Sequence, residues 1–120
     1  MGPSGYPLQQ GEADHVSKAS PNTRALYHRY REAVLTFGED VTINPTETKY
    51  IGFRVNDLRF ATFHIHPGHF KIWLRIKPGS IDDARRLTNQ TQAAHTMRVS
   101  DDRHFDYVVD LLKQAYVRNR

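Results

Sequence analysis

Apolar and polar residues alternate most regularly in the centre of the chain. Three stretches there have a period of two, namely Lys49 to Val55, Leu58 to Ile65 and Phe70 to Lys77, and this period is typical of β-strands. They are separated by Asn56-Asp57 and Pro67-Gly68, which are residue pairs that favour tight turns. Strands joined by such short turns run antiparallel. The pattern therefore predicts a three-stranded meander.

The faces of these strands agree only if one connection contains an extra residue. Two-residue turns at both ends would place Ile51 and Phe53 on the face of Phe60, opposite to the apolar set that contains Phe63 and Phe70. A slip of one residue exchanges the two faces of a strand. We therefore predict a β-bulge, or a turn one residue longer, near residues 56 to 59.

With this correction the meander has one apolar face and one basic, aromatic face. We expect the apolar face to form the core, and it consists of Ile51, Phe53, Val55, Ala61, Phe63, Ile65, Phe70, Ile72, Leu74 and Ile76. We expect the opposite face to meet solvent, and it consists of Tyr50, Arg54, Phe60, Thr62, His64, Lys71, Trp73, Arg75 and Lys77.

Helical periodicity flanks the meander on both sides. A first helix is predicted to begin at Ser20-Pro21, since Ser caps free N–H groups and Pro suits the first helical position, and to end near Gly38. Its apolar stripe is Leu26, Tyr30, Ala33, Val34 and Phe37, and Arg31 falls on its polar face. A last helix is predicted to be capped by Ser100, with the stripe Phe105, Val108, Val109, Leu112 and Tyr116.

Weaker patterns complete the fold. We expect short strands at Val41–Ile43 and Thr96–Val99, a short helix after Ser80, and a polar loop from Thr88 to His95. The predicted fold class is α+β, with an antiparallel sheet of four to five strands and an N-terminal and a C-terminal helix packed on one face. Residues 1–20 are rich in Gly, Ser, Pro and Gln and are predicted to be a flexible tail before a single domain at 21–120.

Composition narrows the classes of function. The chain has no cysteine, which excludes disulfides and thiolate chemistry and fits a cytoplasmic location. No apolar run reaches the ~18 residues of a membrane span. The absence of a glycine-rich phosphate-binding loop argues against a nucleotide enzyme, and we expect no cofactor.

The positive charge is concentrated in the meander. Between residues 49 and 77 there are six Lys or Arg residues and one acid, Asp57, which gives +5 against +4 for the whole chain. Such a segment attracts phosphate groups or an acidic partner. Solvated basic strands that discourage edge-to-edge pairing are the plainer interpretation.

Cations and aromatic rings share the predicted outer face. In nucleic-acid-binding sheets, cations contact phosphates and rings stack on bases. The candidate nucleic-acid-binding residues are Tyr50, Arg54, Lys71, Trp73, Arg75 and Lys77. An exposed Trp73 beside Phe60 would equally suit a protein-interaction or homodimer surface.

Three histidines suggest a second, weaker hypothesis. His64 and His66 leave the same face of one strand, and His69 follows across the turn. Three imidazoles can bind zinc, but no carboxylate lies nearby in the sequence to orient the rings. A polar hairpin tip is the simpler interpretation.

Two further sets of residues are candidate catalytic or ligand sites. Asp40, Glu47 and Lys49 have the residue types of metal-dependent nucleases, although Pro45 interrupts the spacing. The loop residues Gln90, Gln92 and His95 could line a pocket of a small-ligand sensor.

The chain resembles the domain of unknown function 5655 family. The pieces that carry the resemblance are SPNTRALYHRYREAVLTFGEDV, NPTETKYIGFRV, FKIWLRIKPGSIDD and the closing helix, from about His15 to Arg118. The resemblance implies a small bacterial or archaeal domain, found alone or at the C-terminal end of so-called predicted transport proteins. It implies no established activity, and nuclease-like domains accompany some longer members. The helix–meander–helix order is also similar to the double-wing arrangement of the MmcQ/YjbR-like proteins, which are suspected of binding DNA.

Together these observations favour a non-enzymatic module that associates with nucleic acid through the outer face of its sheet. A protein-interaction or dimerisation domain is the alternative, followed by a metal-dependent nuclease and a small-ligand sensor.

Overall fold

The strands form one open antiparallel sheet with helices on one of its faces. The computed structural model describes residues 8–46, 50–76, 80–90 and 94–120. In chain order the elements are α1 (Gln10–Val16), α2 (Pro21–Leu35), β1 (Thr42–Pro45), β2 (Tyr50–Val55), β3 (Leu58–Ile65), β4 (Phe70–Leu74), β5 (Asn89–Gln90), β6 (His95–Val99) and α3 (Phe105–Asn119). The sheet order is β1-β2-β3-β4-β6-β5. The α+β expectation is confirmed, with six strands in place of four to five because Asn89–Gln90 pairs with β6 inside the segment predicted to be a loop.

The first of the two meander turns is a two-residue hairpin turn. Val55 pairs with Leu58, and the intervening Asn56 and Asp57 have φ values of 52° and 61°. Positive φ at both central positions matches the type I′ turn that suits the twist of antiparallel strands. Asn and Asp tolerate this conformation better than most residues. The extra residue predicted by the sequence therefore does not lie in the turn.

The extra residue is Phe60, in β3. Phe53 pairs with Ala61 and Arg54 pairs with Arg59, so the register shifts between these two positions. The bulge lies one residue beyond the predicted range of 56 to 59. It brings the apolar residues of β2 and β3 onto the same face, as the alternating sequence pattern required.

Phe60 itself was placed on the wrong face by the sequence analysis. Its side chain is fully buried, and its ring centroid lies 5.6 Å from that of Tyr116 in α3. Because a bulged residue is released from the alternation of the strand, Phe60 turns towards the helices. It is part of the core and not of the solvent-facing surface.

The core forms where the sheet meets the helices. All ten residues of the predicted apolar face are buried, namely Ile51, Phe53, Val55, Ala61, Phe63, Ile65, Phe70, Ile72, Leu74 and Ile76. Tyr27 of α2 packs edge-on against Phe63 with ring centroids 5.7 Å apart, and Tyr30 packs edge-on against Phe70 at the same distance. Edge-to-face pairs of this kind add to the stabilisation that burial alone provides.

The expected flexible tail contains a helix instead. In α1, Glu12 is fully buried and accepts hydrogen bonds from Tyr27 Oη at 2.5 Å and Arg31 Nε at 2.6 Å. His15 Nε2 lies 2.6 Å from the carbonyl oxygen of Thr46. The tail prediction is therefore wrong for residues 10–19, because a buried carboxylate and its partners fix α1 to α2, and Arg31 is buried with them. Residues 1–7 lie outside the described part.

The segment after β4 also differs from the prediction. The structure has no helix among residues 80–90; Asp83 instead accepts hydrogen bonds from Tyr107 Oη, from the Thr88 amide and hydroxyl and from the Leu87 amide. Burial acts to raise the pKa of Asp83, but these hydrogen bonds outweigh it and lower the pKa to about 2.

Helix α3 begins at Phe105 and not at Ser100. None of the described helices has the length and apolar character needed to cross a membrane.

Candidate functional site on the outer sheet face

The outer face is the side of the sheet opposite the helices. Residues paired across antiparallel strands point to the same side, so the register assigns this face directly. Its members on the described strands are Thr42, Asn44, Tyr50, Gly52, Arg54, Arg59, Thr62, His64, Lys71, Trp73, Asn89, Thr96 and Arg98. No described helix packs over them, and the side chains of Lys71 and Arg98 are exposed.

Two large rings stand together near the middle of this face. Trp73 is half-buried, and its ring centroid lies 5.8 Å from that of Tyr50 at an interplanar angle of 87°. His64 lies on another side of Trp73, at 6.2 Å and 23°. These contacts fix the orientation of the indole while part of it remains accessible to solvent.

A shallow cleft opens beside the two rings. Its volume is about 530 Å³, and it is lined by Tyr50, Arg54, Arg59, Thr62, Trp73, Arg75 and Ala94. This volume is within the range of roughly 300–1,000 Å³ that small-molecule sites occupy. The lining combines aromatic surface with three guanidinium groups, which is the chemistry that planar anionic ligands require.

Gly52 allows one of these guanidinium groups to lie close to the sheet. A Cβ atom at position 52 would come within 2.7 Å of Arg59 Nε and 3.0 Å of Arg59 Cδ. Any other residue at this position would displace the Arg59 side chain. The missing side chain at Gly52 thus sets where the Arg59 guanidinium sits in the cleft.

The described strands contribute only positive charges to the outer face. None of the described strand residues is Asp or Glu. The ion pairs among described residues join helices and loops, as Arg29–Asp102, Arg31–Glu12, Arg103–Asp101 and Arg120–Asp40. The described cations of the outer face are Arg54, Arg59, Lys71, Arg75 and Arg98. Because no described carboxylate neutralises them, this face carries a positive potential.

The three histidines form a column at one end of the outer face, in which His66 and His69 are stacked at 12° and His64 and His66 are tilted at 44°. Ring centroids are 4.2 Å apart between His64 and His66 and 4.5 Å apart between His66 and His69. Burial, followed by the positive charges of Arg98 and Lys71 and by the neighbouring imidazoles, lowers the pKa of His69 below its usual value of 6.5. Within the described ranges, no group of three His, Asp or Glu side chains is arranged to hold a metal ion. The column therefore differs from the zinc site considered from the sequence.

The structure brings most of the proposed site residues together. Tyr50, Arg54, Trp73 and Arg75 all line the cleft, and Lys71 is exposed on the same face. Lys77 lies outside the described residues.

Sequence reasoning missed three contributors to this face. The face of Arg59 depends on the position of the bulge, which the alternating pattern does not specify. Gly52 has no side chain, so the pattern gives no indication of its role. Arg98 could have been found, because it alternates with Met97 and Val99 in the strand that pairs with β4.

Of the residues that suggest a nuclease, only Asp40 lies in the described part of the chain. Asp40 accepts a hydrogen bond from Tyr116 Oη at 2.7 Å and pairs with Arg120 Nε at 3.3 Å. The hydrogen bond from Tyr116 is the main cause that lowers the pKa of Asp40, against the effect of burial. Asp40 therefore binds the C-terminal end of α3, while Glu47 and Lys49 lie outside the described residues.

Two of the loop residues that suggest a ligand pocket, Gln90 and His95, are described and take different positions. Gln90 is exposed in β5, and its cross-strand partner His95 is buried. The Nδ1 atom of His95 lies 3.1 Å from Thr88 Oγ1. Gln92 lies outside the described residues. His95 thus serves the packing between β6 and the preceding loop.

Comparison with known proteins identifies the family and leaves the activity open. The family model described as domain of unknown function (DUF5655) matches residues 12–119. A protein of Haemophilus influenzae described as uncharacterized is 27% identical over 111 residues, which cover 87% of this chain and 36% of that relative. The chain thus spans about a third of that relative's length. No solved structure matches the chain. The match over residues 12–119 shows that this chain belongs to the DUF5655 family of domains of unknown function.

Proposed function

We propose that the domain is a non-enzymatic module that binds nucleic acid through the outer face of its sheet. The observation that carries the proposal is the combination of five described cations on this face, the Tyr50–Trp73 ring pair and the absence of acids among the described strand residues. Phosphate groups would contact the cations, and the rings would contact bases or sugars.

The electrostatic part of this binding has a characteristic magnitude. Four phosphate contacts with a single strand give a slope of log K against log salt concentration of about −2.8, or roughly a 50-fold loss of affinity between 50 and 200 mM salt. A protein that bound through apolar contacts alone would show little of this dependence.

Reversal of charge on the outer face tests the proposal. We expect Lys71→Glu/Arg75→Glu to weaken binding of a fluorescently labelled oligonucleotide by more than ~10-fold at 50 mM salt and to reduce the salt slope by about 1.4. The measurement is fluorescence anisotropy as a function of salt concentration.

The matched control reverses the same number of charges on the helical side. Arg24 and Lys113 are exposed on α2 and α3, so Arg24→Glu/Lys113→Glu has the same net charge as the first variant. We expect this control to retain most of the affinity. Equal losses in both variants would show that only net charge matters and would contradict a specific binding face.

The protein-interaction alternative predicts a different result. A stable homodimer in light scattering that is lost on Trp73→Ala, together with no oligonucleotide binding by the wild-type chain at low salt, would overturn the proposal and assign the outer face to a protein partner.

A further inference from the structure

We propose that the cleft on the outer face receives an unstacked base, so that the domain selects single-stranded over double-stranded nucleic acid. This inference rests on the proposed function and names its ligand class. The ligand would place a base against Trp73 and Tyr50 and its flanking phosphates on the surrounding cations.

The position of the two rings favours an unstacked base as the ligand. Tyr50 and Trp73 are both only half-buried, they meet at an angle of 87°, and both line the cleft. Bases within a duplex present only their edges in the grooves, whereas bases of a single strand expose their faces for stacking. A ring surface set into a shallow cleft is therefore accessible to an extruded or single-stranded base and closed to a stacked one.

The cations are distributed both in the cleft and beside it. Arg54, Arg59 and Arg75 line the cleft itself, while Lys71 and Arg98 form an adjacent cross-strand pair. Phosphates on either side of a bound base would thus meet cations of the outer face. Single-strand binders use this arrangement of stacking rings inside a positive groove.

The close contact between Gly52 and Arg59 sets the position of one guanidinium group in the cleft. The Arg59 Nε atom lies where only a glycine leaves room, 2.7 Å from the position of a Cβ atom at residue 52. Guanidinium groups also stack on bases. The structure therefore assigns Gly52 the role of a positioning residue, which keeps the Arg59 guanidinium within the cleft.

The first test uses the single tryptophan of the chain. Because Trp73 is the only tryptophan, intrinsic fluorescence reports directly on the cleft. The full chain is titrated at 50 mM salt with a 12-nucleotide single strand, with the duplex of the same sequence, and with an abasic strand of equal length. We expect the single strand to quench the fluorescence and to bind at least 10-fold tighter than the other two.

The second test separates position from charge. We expect Gly52→Ala to weaken single-strand binding by about 5- to 10-fold while binding of the abasic strand changes by less than twofold. Gly68→Ala is the matched control, because a Cβ atom at Gly68 meets nothing within 4 Å, and it should bind like the wild type.

The outcomes distinguish this inference from the function on which it rests. Equal affinity for single strand, duplex and abasic strand, with unchanged tryptophan fluorescence, would overturn the inference and leave phosphate binding by the outer face in place. Absence of binding to all three ligands at 50 mM salt would overturn both. A Gly52→Ala variant that binds like Gly68→Ala would overturn the role of Gly52.

Discussion

At the scale of single residues, one buried ion pair decides how the N-terminal segment folds. Arg31 and Glu12 are 2% and 0% exposed, and the Arg31 Nε atom lies 2.6 Å from Glu12 Oε2. Tyr27 donates a further hydrogen bond to the same oxygen, and the backbone amide of Gln9 donates to the other. A buried charge is tolerated only when it is paired and hydrogen-bonded, which is the condition that this cluster meets.

Removal of the charge of Glu12 should therefore destabilise the domain strongly. We expect Glu12→Gln to lower the free energy of unfolding by about 3 kcal/mol, since it removes the buried carboxylate charge that pairs with the Arg31 guanidinium. Urea denaturation followed by circular dichroism measures the change. The control Glu39→Gln is at an exposed position and should stay within about 0.5 kcal/mol of the wild type. A similarly small effect of Glu12→Gln would contradict the account of α1.

The same residues show what the sequence can and cannot reveal. The ten core positions of the meander follow from a period of two, because that period is a property of the strand itself. Glu12 and Arg31 are 19 residues apart, and charged residues are almost always exposed. No local sequence pattern therefore indicates that these two residues are buried. Likewise the loop around Asp83 depends on Tyr107, 24 residues further on, and its local pattern suggested a helix.

At the scale of elements, the β2–β3 hairpin connects the core to the candidate site. The parity of the apolar residues required an extra residue, and the bulge at Phe60 supplies it. The bulge turns Phe60 into the core and leaves Arg54 and Arg59 paired on the outer face. Parity could predict that an irregularity exists, but its position depends on how Phe60 packs against Tyr116 in α3, which is tertiary information.

The turn of this hairpin offers a simple stability prediction. Asp57 has a φ of 61°, a conformation that glycine adopts without steric cost and that type I′ turns favour at this position. We expect Asp57→Gly to stabilise the domain by about 0.5 kcal/mol, since relief of the backbone strain exceeds the added entropy of the unfolded chain. The change is measured by thermal unfolding.

The same type of substitution in a helix is expected to lower the free energy of unfolding instead of raising it. Asp106 is exposed in the first turn of α3, so Asp106→Gly should destabilise the domain by about 0.5 to 1 kcal/mol, through lower helix propensity and through loss of a negative charge at the positive end of the helix. A destabilising effect of Asp57→Gly as well would contradict the assignment of the type I′ turn.

At the scale of the whole molecule, the two sides of the sheet differ in charge, because the helical side carries both signs whereas the described strands carry only cations. The described acids lie on helices and in loops, and the described strands carry none. The chain has a net charge of +4, and its sheet cations concentrate the positive potential on the face that no described helix covers. Such a difference in charge steers polyanions to one side of the molecule. Membership of the DUF5655 family establishes the family of the domain, whereas this difference in charge is what motivates the proposed function.

The most direct test of the central claim maps the bound oligonucleotide onto the fold. Amide chemical shifts of the ¹⁵N-labelled chain are followed by NMR while a 12-nucleotide single strand is added at 50 mM salt. We predict that the largest changes fall on β2, β3, β4 and β6 and on the indole N–H of Trp73, while α2 and the exposed side of α3 change little. Changes centred on the helices, or no changes at saturating oligonucleotide, would contradict the assignment of the outer face as the binding surface.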